Sequence, residues 1–145
     1  MLVLKDLQKK FGKQHVLQRI THTFGTGSKT VVLGSNGSGK STLIKILSGA
    51  LEATDAPPSA NFKGREIPAS ELGQDCTIAA PYVALNPMFS LAETLAFHQD
   101  CCPFLPSFDS NLWVEKAGLT PHFYKRLSTF SSGMLQRVRL MLAIG

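Results

Sequence analysis

The stretch Thr30-Val31-Val32-Leu33-Gly34-Ser35-Asn36-Gly37-Ser38-Gly39-Lys40-Ser41-Thr42 decides how this chain is read. Residues 34–41 spell G-x-x-x-x-G-K-S, a phosphate-binding loop, set between an apolar β-branched run and the helix-forming run Leu43-Ile44-Lys45-Ile46-Leu47. Glycines let consecutive backbone N–H groups turn toward one centre, making an anion nest at a helix N-terminus. Gly34, Ser35, Asn36, Gly37, Ser38, Gly39, Lys40, Ser41 and Thr42 are therefore the candidate nucleotide-binding residues. Lys40 is placed to reach the β- and γ-phosphates, and the Ser41 hydroxyl is the candidate Mg²⁺ ligand. No side chain of the loop has to recognise a base, so the motif specifies a nucleoside triphosphate and leaves the base open.

Bulk properties set the surroundings. At 145 residues the chain is long enough to bury a real core. Hydrophobic content of 43% and charged content of 17% are those of an ordinary globular protein. The formal net charge of +5 suits an anionic ligand. The Lys and Arg residues are spread along the chain without interleaved aromatics, so the charge does not identify a nucleic-acid partner. Cys76, Cys101 and Cys102 are odd in number and two are adjacent, which disfavours a disulfide framework and reads as free thiols in a reducing compartment. No basic-then-apolar signal layout opens the chain, and no apolar run approaches the ~18 residues of a membrane span.

Outside the loop, loose alternation at Leu2 and Leu4 and again in the run from His15 to Phe24, on either side of the glycine-bearing turn Phe11-Gly12-Lys13-Gln14, predicts two strands. Residues 30–33 are expected as a strand, and residues 77–80 as a short buried strand stopping at Pro81. The helix after the loop is expected to stop near Ser48 and Gly49. Residues 53–75 read as irregular or edge structure, with a short strand near residues 61–63. Ser90-Leu91-Ala92-Glu93 is a capping box opening a helix through about His98, and residues 111–117 form a further short helix stopped by Gly118. Ser131-Ser132-Gly133 precedes a last helix whose apolar face carries Met134, Val138 and Met141.

Phe130-Ser131-Ser132-Gly133-Met134-Leu135-Gln136-Arg137 resembles the L-S-G-G-Q signature of ATP-binding-cassette (ABC) ATPases, with Ser131 and Gly133 matching. Phe130, Ser132 and Met134 stand at its Leu, first Gly and Gln positions. Phe11 sits where the family places an aromatic that stacks on adenine, and Phe89-Ser90-Leu91-Ala92-Glu93-Thr94-Leu95 resembles the helix start after its Q-loop. The resemblance implies an α/β P-loop NTPase fold of ABC type, with an antiparallel β subdomain, a small helical subdomain and an incomplete parallel core sheet. The subdomains it implies are 1–80, with the P-loop core, 86–130, and 131–145, the signature helix. It further implies ATP and Mg²⁺ as ligands, a membrane-spanning permease subunit as partner, and a second ABC ATPase subunit in a homo- or heterodimer. The implied location is cytoplasmic, peripheral at the inner face of the cell membrane, with no specific nucleic-acid partner. Across that dimer, Ser131, Ser132, Gly133 and Met134 would face nucleotide held by the other subunit.

Two departures qualify the resemblance. The family's Q-loop Gln aligns with Tyr82, a poor copy of an amide at a hard metal. After the signature helix the family continues into an apolar strand ending in a Mg²⁺-associated Asp and a catalytic Glu, and no such run occurs in residues 1–145. The expectation is the N-terminal portion of an ABC ATPase, with no identifiable catalytic base. The alternative is a non-catalytic truncated fragment, or a nucleotide-binding or interaction module, without transport activity. His15, His22, His98 and His122 lack ligand-like spacing, and Trp113 is expected to anchor the core of the helical region.

Overall fold

The computed structural model describes residues 1–62 and 64–145, in two compact units, Met1–Cys76 and Thr77–Gly145. In the first unit, β1 (Leu2–Phe11) and β2 (Gln14–Phe24) form an antiparallel hairpin. Gly12 turns it with φ 55°, a backbone region open to glycine at little cost. Leu4, Leu7 and Leu17 share the buried face, and Leu4 and Leu7 can do so at an odd spacing only because β1 is irregular between them. The register shifts between Leu4 and Leu7 and again toward Lys10, with Asp6 and Arg19 at positive φ. The Thr21 hydroxyl accepts a hydrogen bond from the Asp6 N–H at 3.0 Å, which holds this irregular stretch in place.

β3 (Ser59–Phe62) and β4 (Arg65–Ile67) complete a four-stranded sheet in the order β2-β1-β3-β4, antiparallel throughout. β3 begins two residues before the expected strand, whose last residue, Lys63, lies outside the described residues. β4 is an edge strand within the stretch read as irregular or edge structure, and the short helix α2 (Leu72–Asp75) forms where no helix is expected. Helix α1 (Lys40–Leu47) lays Leu43 and Ile46 onto Leu4, Leu7 and Leu17. It ends at Ser48 and Gly49, the latter at φ 72°.

The expected strands at 30–33 and 77–80 are not formed: neither segment pairs with another among the described residues. Val31 and Leu33 are 77% and 85% exposed, while Val32 packs on the α1 cluster. An apolar β-branched run identifies chain suited to a strand, but a strand exists only through its ladder partner. The parallel core sheet is thus absent from the described residues, and the antiparallel subdomain carries the pairing.

The second unit is helical: α3 (Leu91–Cys101), α4 (Ser110–Lys116) and α5 (Ser132–Ile144), with 3-10 turns at Thr120–His122 and Leu127–Thr129. Helix α3 runs three residues past the expected His98. Each helix is started by a side-chain cap. Ser90 Oγ accepts from the Glu93 N–H while the Glu93 carboxylate accepts from the Ser90 N–H at 2.7 Å. Asp109 Oδ1 accepts from the Asn111 and Leu112 N–H groups, and Ser131 Oγ from the Met134 N–H. The core gathers Leu91, Leu95, Val114, Leu119, Leu127, Phe130, Val138 and Met141. Trp113 packs at the edge of this cluster and stacks on Phe108 at 5.9 Å.

The hydrogen bonds that Glu93 accepts from the Ser90 N–H and hydroxyl hold its acid below the ordinary glutamate value. A carboxyl lowered on folding stabilises the native state above its unfolded value and loses that contribution as pH falls through the folded one. Glu93→Gln is therefore expected to flatten the acid side of the stability–pH profile, and Ser90→Ala to cost about 1 kcal/mol in urea unfolding at neutral pH.

Candidate functional site

The glycine-rich loop is built by close approach. A Cβ on Gly39 would stand 2.8 Å from Leu17 Cδ2 and 3.1 Å from the Val16 carbonyl oxygen, and the residue adopts φ 89°. Only glycine meets both demands, so the loop lies directly on β2. A Cβ on Gly34 would collide with Ser38 Oγ at 2.6 Å, and the Ser38 N–H donates to the Ser35 carbonyl to tighten the turn. The Lys40 ammonium folds back over the loop, donating to the carbonyls of Gly34 at 2.9 Å and Ser35 at 2.7 Å. Helix α1 begins where Leu43 N–H bonds to Gly39 O, with no side-chain cap and no acidic residue in its first turn. Its N-terminal N–H groups and positive dipole end are thereby left for an anion from outside the chain.

These elements surround a cleft of about 290 Å³ lined by Val16, Asn36, Gly37, Gly39, Lys40, Ser41 and Thr42. Larger clefts exist, about 870 Å³ in the first unit and 540 Å³ in the second, but no lysine lines either. A polyphosphate fits the small cleft by chemistry: a cation, a run of N–H donors and hydroxyls, and no carboxylate in the lining. The exposed Ser41 hydroxyl there would be open to a Mg²⁺ ion. Among the described residues no group of three or more His, Cys, Asp or Glu could cage a metal. Mg²⁺ ordinarily completes its shell with substrate phosphates and water, so one hydroxyl is a compatible protein contribution.

The remaining sequence-predicted residues lie elsewhere. Phe11 ends β1 opposite Gln14, half-exposed, with the Lys9 ammonium 5.1 Å from its ring centre. It belongs to the hairpin that carries Val16 but does not line the cleft. Tyr82 sits half-exposed in a turn of the second unit. Ser131, Ser132 and Gly133 are exposed at the start of α5, with Met134 half-buried behind them. That first turn also lacks acidic residues. Phe130, beside them, is core rather than site.

Two residues escape a reading of the sequence. Val16 forms a wall of the cleft, brought there by the bare Gly39 backbone, and its local pattern says only strand. Arg139 donates from Nε to the Val83 carbonyl at 2.8 Å, tying α5 to the turn that holds Tyr82. One of two arginines on a largely apolar helix gives no advance sign of a carbonyl partner 56 positions earlier.

The fold is that of the P-loop NTPases of ABC type. A putative-transporter ATP-binding protein of Pyrococcus furiosus superposes with a TM-score of 0.77 over 97% of this chain and 68% of its own, at 22% identity. The ATP-binding cassette MJ0796, in a dimeric post-hydrolysis state bound to ADP and Pi, superposes at 0.72 over 99% of this chain and 69% of its own, at 20% identity. The chain belongs to the ABC transporter family, whose profile matches residues 17–144. YybJ of Bacillus subtilis strain 168, an uncharacterised ABC transporter ATP-binding protein, is 28% identical over 145 residues. That alignment takes in 99% of this chain and 66% of YybJ, so the chain corresponds to part of its relative's length.

Gly39→Ala is expected to lower stability in urea unfolding by more than Gly37→Ala. Both positions carry positive φ, a strain of about 1–3 kcal/mol for a side chain. Only Gly39 adds a collision with β2, since a Cβ on Gly37 meets nothing within 4 Å.

Proposed function

We propose that the chain acts within the ATP-binding subunit of an ABC transporter, coupling ATP binding and hydrolysis to transport through a separate membrane-spanning permease subunit. The observation that carries this reading is the Lys40 ammonium held over an uncapped helix N-terminus, in a chain of the ABC transporter family. In this reading Gly34 to Thr42 grip the phosphates, Lys40 exchanges its two carbonyl partners for phosphate oxygens, and Phe11 supports the base. Ser41 holds Mg²⁺, which when bound neutralises phosphate charge.

The subdomains proposed are 1–80, 86–130 and 131–145. Ser131, Ser132, Gly133 and Met134 then meet the nucleotide of a second ATPase subunit, using the N-terminus of α5, and Tyr82 takes the Q-loop position. Support for the paired arrangement is the dimeric form in which MJ0796 binds ADP and Pi. Support for a peripheral position at the inner membrane face is the family. The positive charge is assigned to nucleotide and surface, with no specific nucleic-acid partner.

A second reading has its own observation. The residues lining the cleft include no carboxylate or imidazole to take a proton from water. On that reading the 145 residues bind nucleotide as a non-catalytic module, and hydrolysis depends on groups supplied from elsewhere.

Calorimetric titration with Mg-ATP separates binding from turnover. Lys40→Ala is expected to weaken affinity about 10- to 150-fold, the loss of charge-assisted hydrogen bonds worth about 1.5–3 kcal/mol. Equal affinities for the two proteins would sink the P-loop assignment. Lys40-dependent release of phosphate by the native chain would favour the first reading over the second.

A further inference from the structure

Helix α3 ends in two adjacent cysteines that the nucleotide cleft does not use. Cys101 is its last residue, and Cys102 leaves the helical path with φ −145° and ψ 88° while its N–H still donates to His98 O at 2.7 Å. Both thiols are exposed and unbridged. The chain beyond them is anchored: the Phe104 N–H donates to Gln99 Oε1 at 3.1 Å, and the Phe104 ring packs against His98 at 4.8 Å and on Phe108 at 4.6 Å. The pair is thus a dithiol presented at a fixed corner of the helical unit.

Geometry and ligand count narrow what such a pair can take. No cis peptide occurs among the described residues, so the two Cα atoms stand about 3.8 Å apart. Ordinary disulfides span roughly 4.4–6.8 Å between Cα atoms, which makes direct closure to S–S a strained outcome. An atom inserted between the sulfurs relaxes that demand, since two thiolates on one tetrahedral ion at about 2.3 Å each lie roughly 3.8 Å apart rather than 2 Å. A four-ligand zinc site is not available, because no group of three or more His, Cys, Asp or Glu is gathered among the described residues. The acceptor must therefore be thiophilic and satisfied by two sulfurs.

We propose that Cys101 and Cys102 form a chelating site for monosubstituted trivalent arsenicals, R–As(OH)₂. Two S–H bonds and two As–OH bonds break, two As–S bonds form, and two waters leave, with no change in oxidation state. The organic group fills the third position on arsenic, so the protein supplies both remaining ligands. Cys76 does not compete: it is half-buried, its thiol donates to the Leu47 carbonyl, and burial and Asp75 push its pKa up.

The probe is phenylarsine oxide, added to the full chain and followed by native mass spectrometry and by fluorescence of Trp113, the only tryptophan, which stacks on Phe108 beside Phe104. One adduct per chain is expected, reversed by 1,2-ethanedithiol but not by the same concentration of 2-mercaptoethanol. Cys101→Ser and Cys102→Ser should each weaken binding about 100- to 10,000-fold, the loss of the intramolecular second bond. Cys76→Ser should leave it unchanged. No adduct on the native chain, an adduct on Cys76, or full affinity in either single variant of the pair would overturn the proposal.

Discussion

The contact between Gly39 and β2 is the constraint from which the first unit follows. With φ 89° and a would-be Cβ within 3.1 Å of the Val16 carbonyl, the position admits no side chain. That approach seats the loop on the hairpin, and the chain leaves it directly into α1. Leu43 and Ile46, three residues apart on one helical face, then meet the leucines of β1 and β2. The same contact turns the first N–H groups of α1 outward beside Val16 and brings Lys40 back over Gly34 and Ser35. Anion chemistry and core packing therefore share one glycine, which ties the shape of the site to the stability of the unit.

The second unit relies on a different device. Its helices are short, and short helices gain little from propensity alone. Ser90, Asp109 and Ser131 each satisfy N–H groups that would otherwise be orphaned, fixing where α3, α4 and α5 begin. Their apolar faces then close on Leu119, Leu127 and Phe130 from the connecting turns. Phe130 illustrates how neighbouring residues divide tasks. It is driven into the core while Ser131, Ser132 and Gly133 stay at the surface, so a phenylalanine in the leucine position of the signature serves as an anchor.

Much of this was legible before any coordinates. The hairpin around Gly12, the stop at Gly49, the capping box at Ser90 and the Ser131 cap are local events, encoded within four or five residues and governed by backbone sterics and hydrogen bonding. The misreadings at 30–33 and 77–80 have the opposite origin. β-branched apolar runs report suitability for a strand, and pairing is decided by which segments lie alongside. α2 went unseen, and β4 was legible only as unspecified edge structure, because three or four residues are too few to show a period.

The loop at 34–42 is a motif that encodes its own backbone: glycines where the chain must bend and a lysine long enough to reach back across the turn. Family membership was likewise readable from ordered motifs along one chain. Tertiary structure alone decided that Val16 walls the cleft and that Arg139 holds the turn beside Tyr82. Each of these joins residues distant in sequence, through contacts that no local pattern records. Local sterics are written in neighbouring residues, whereas the partner of a bare glycine backbone or of a carbonyl is chosen only when the chain has packed.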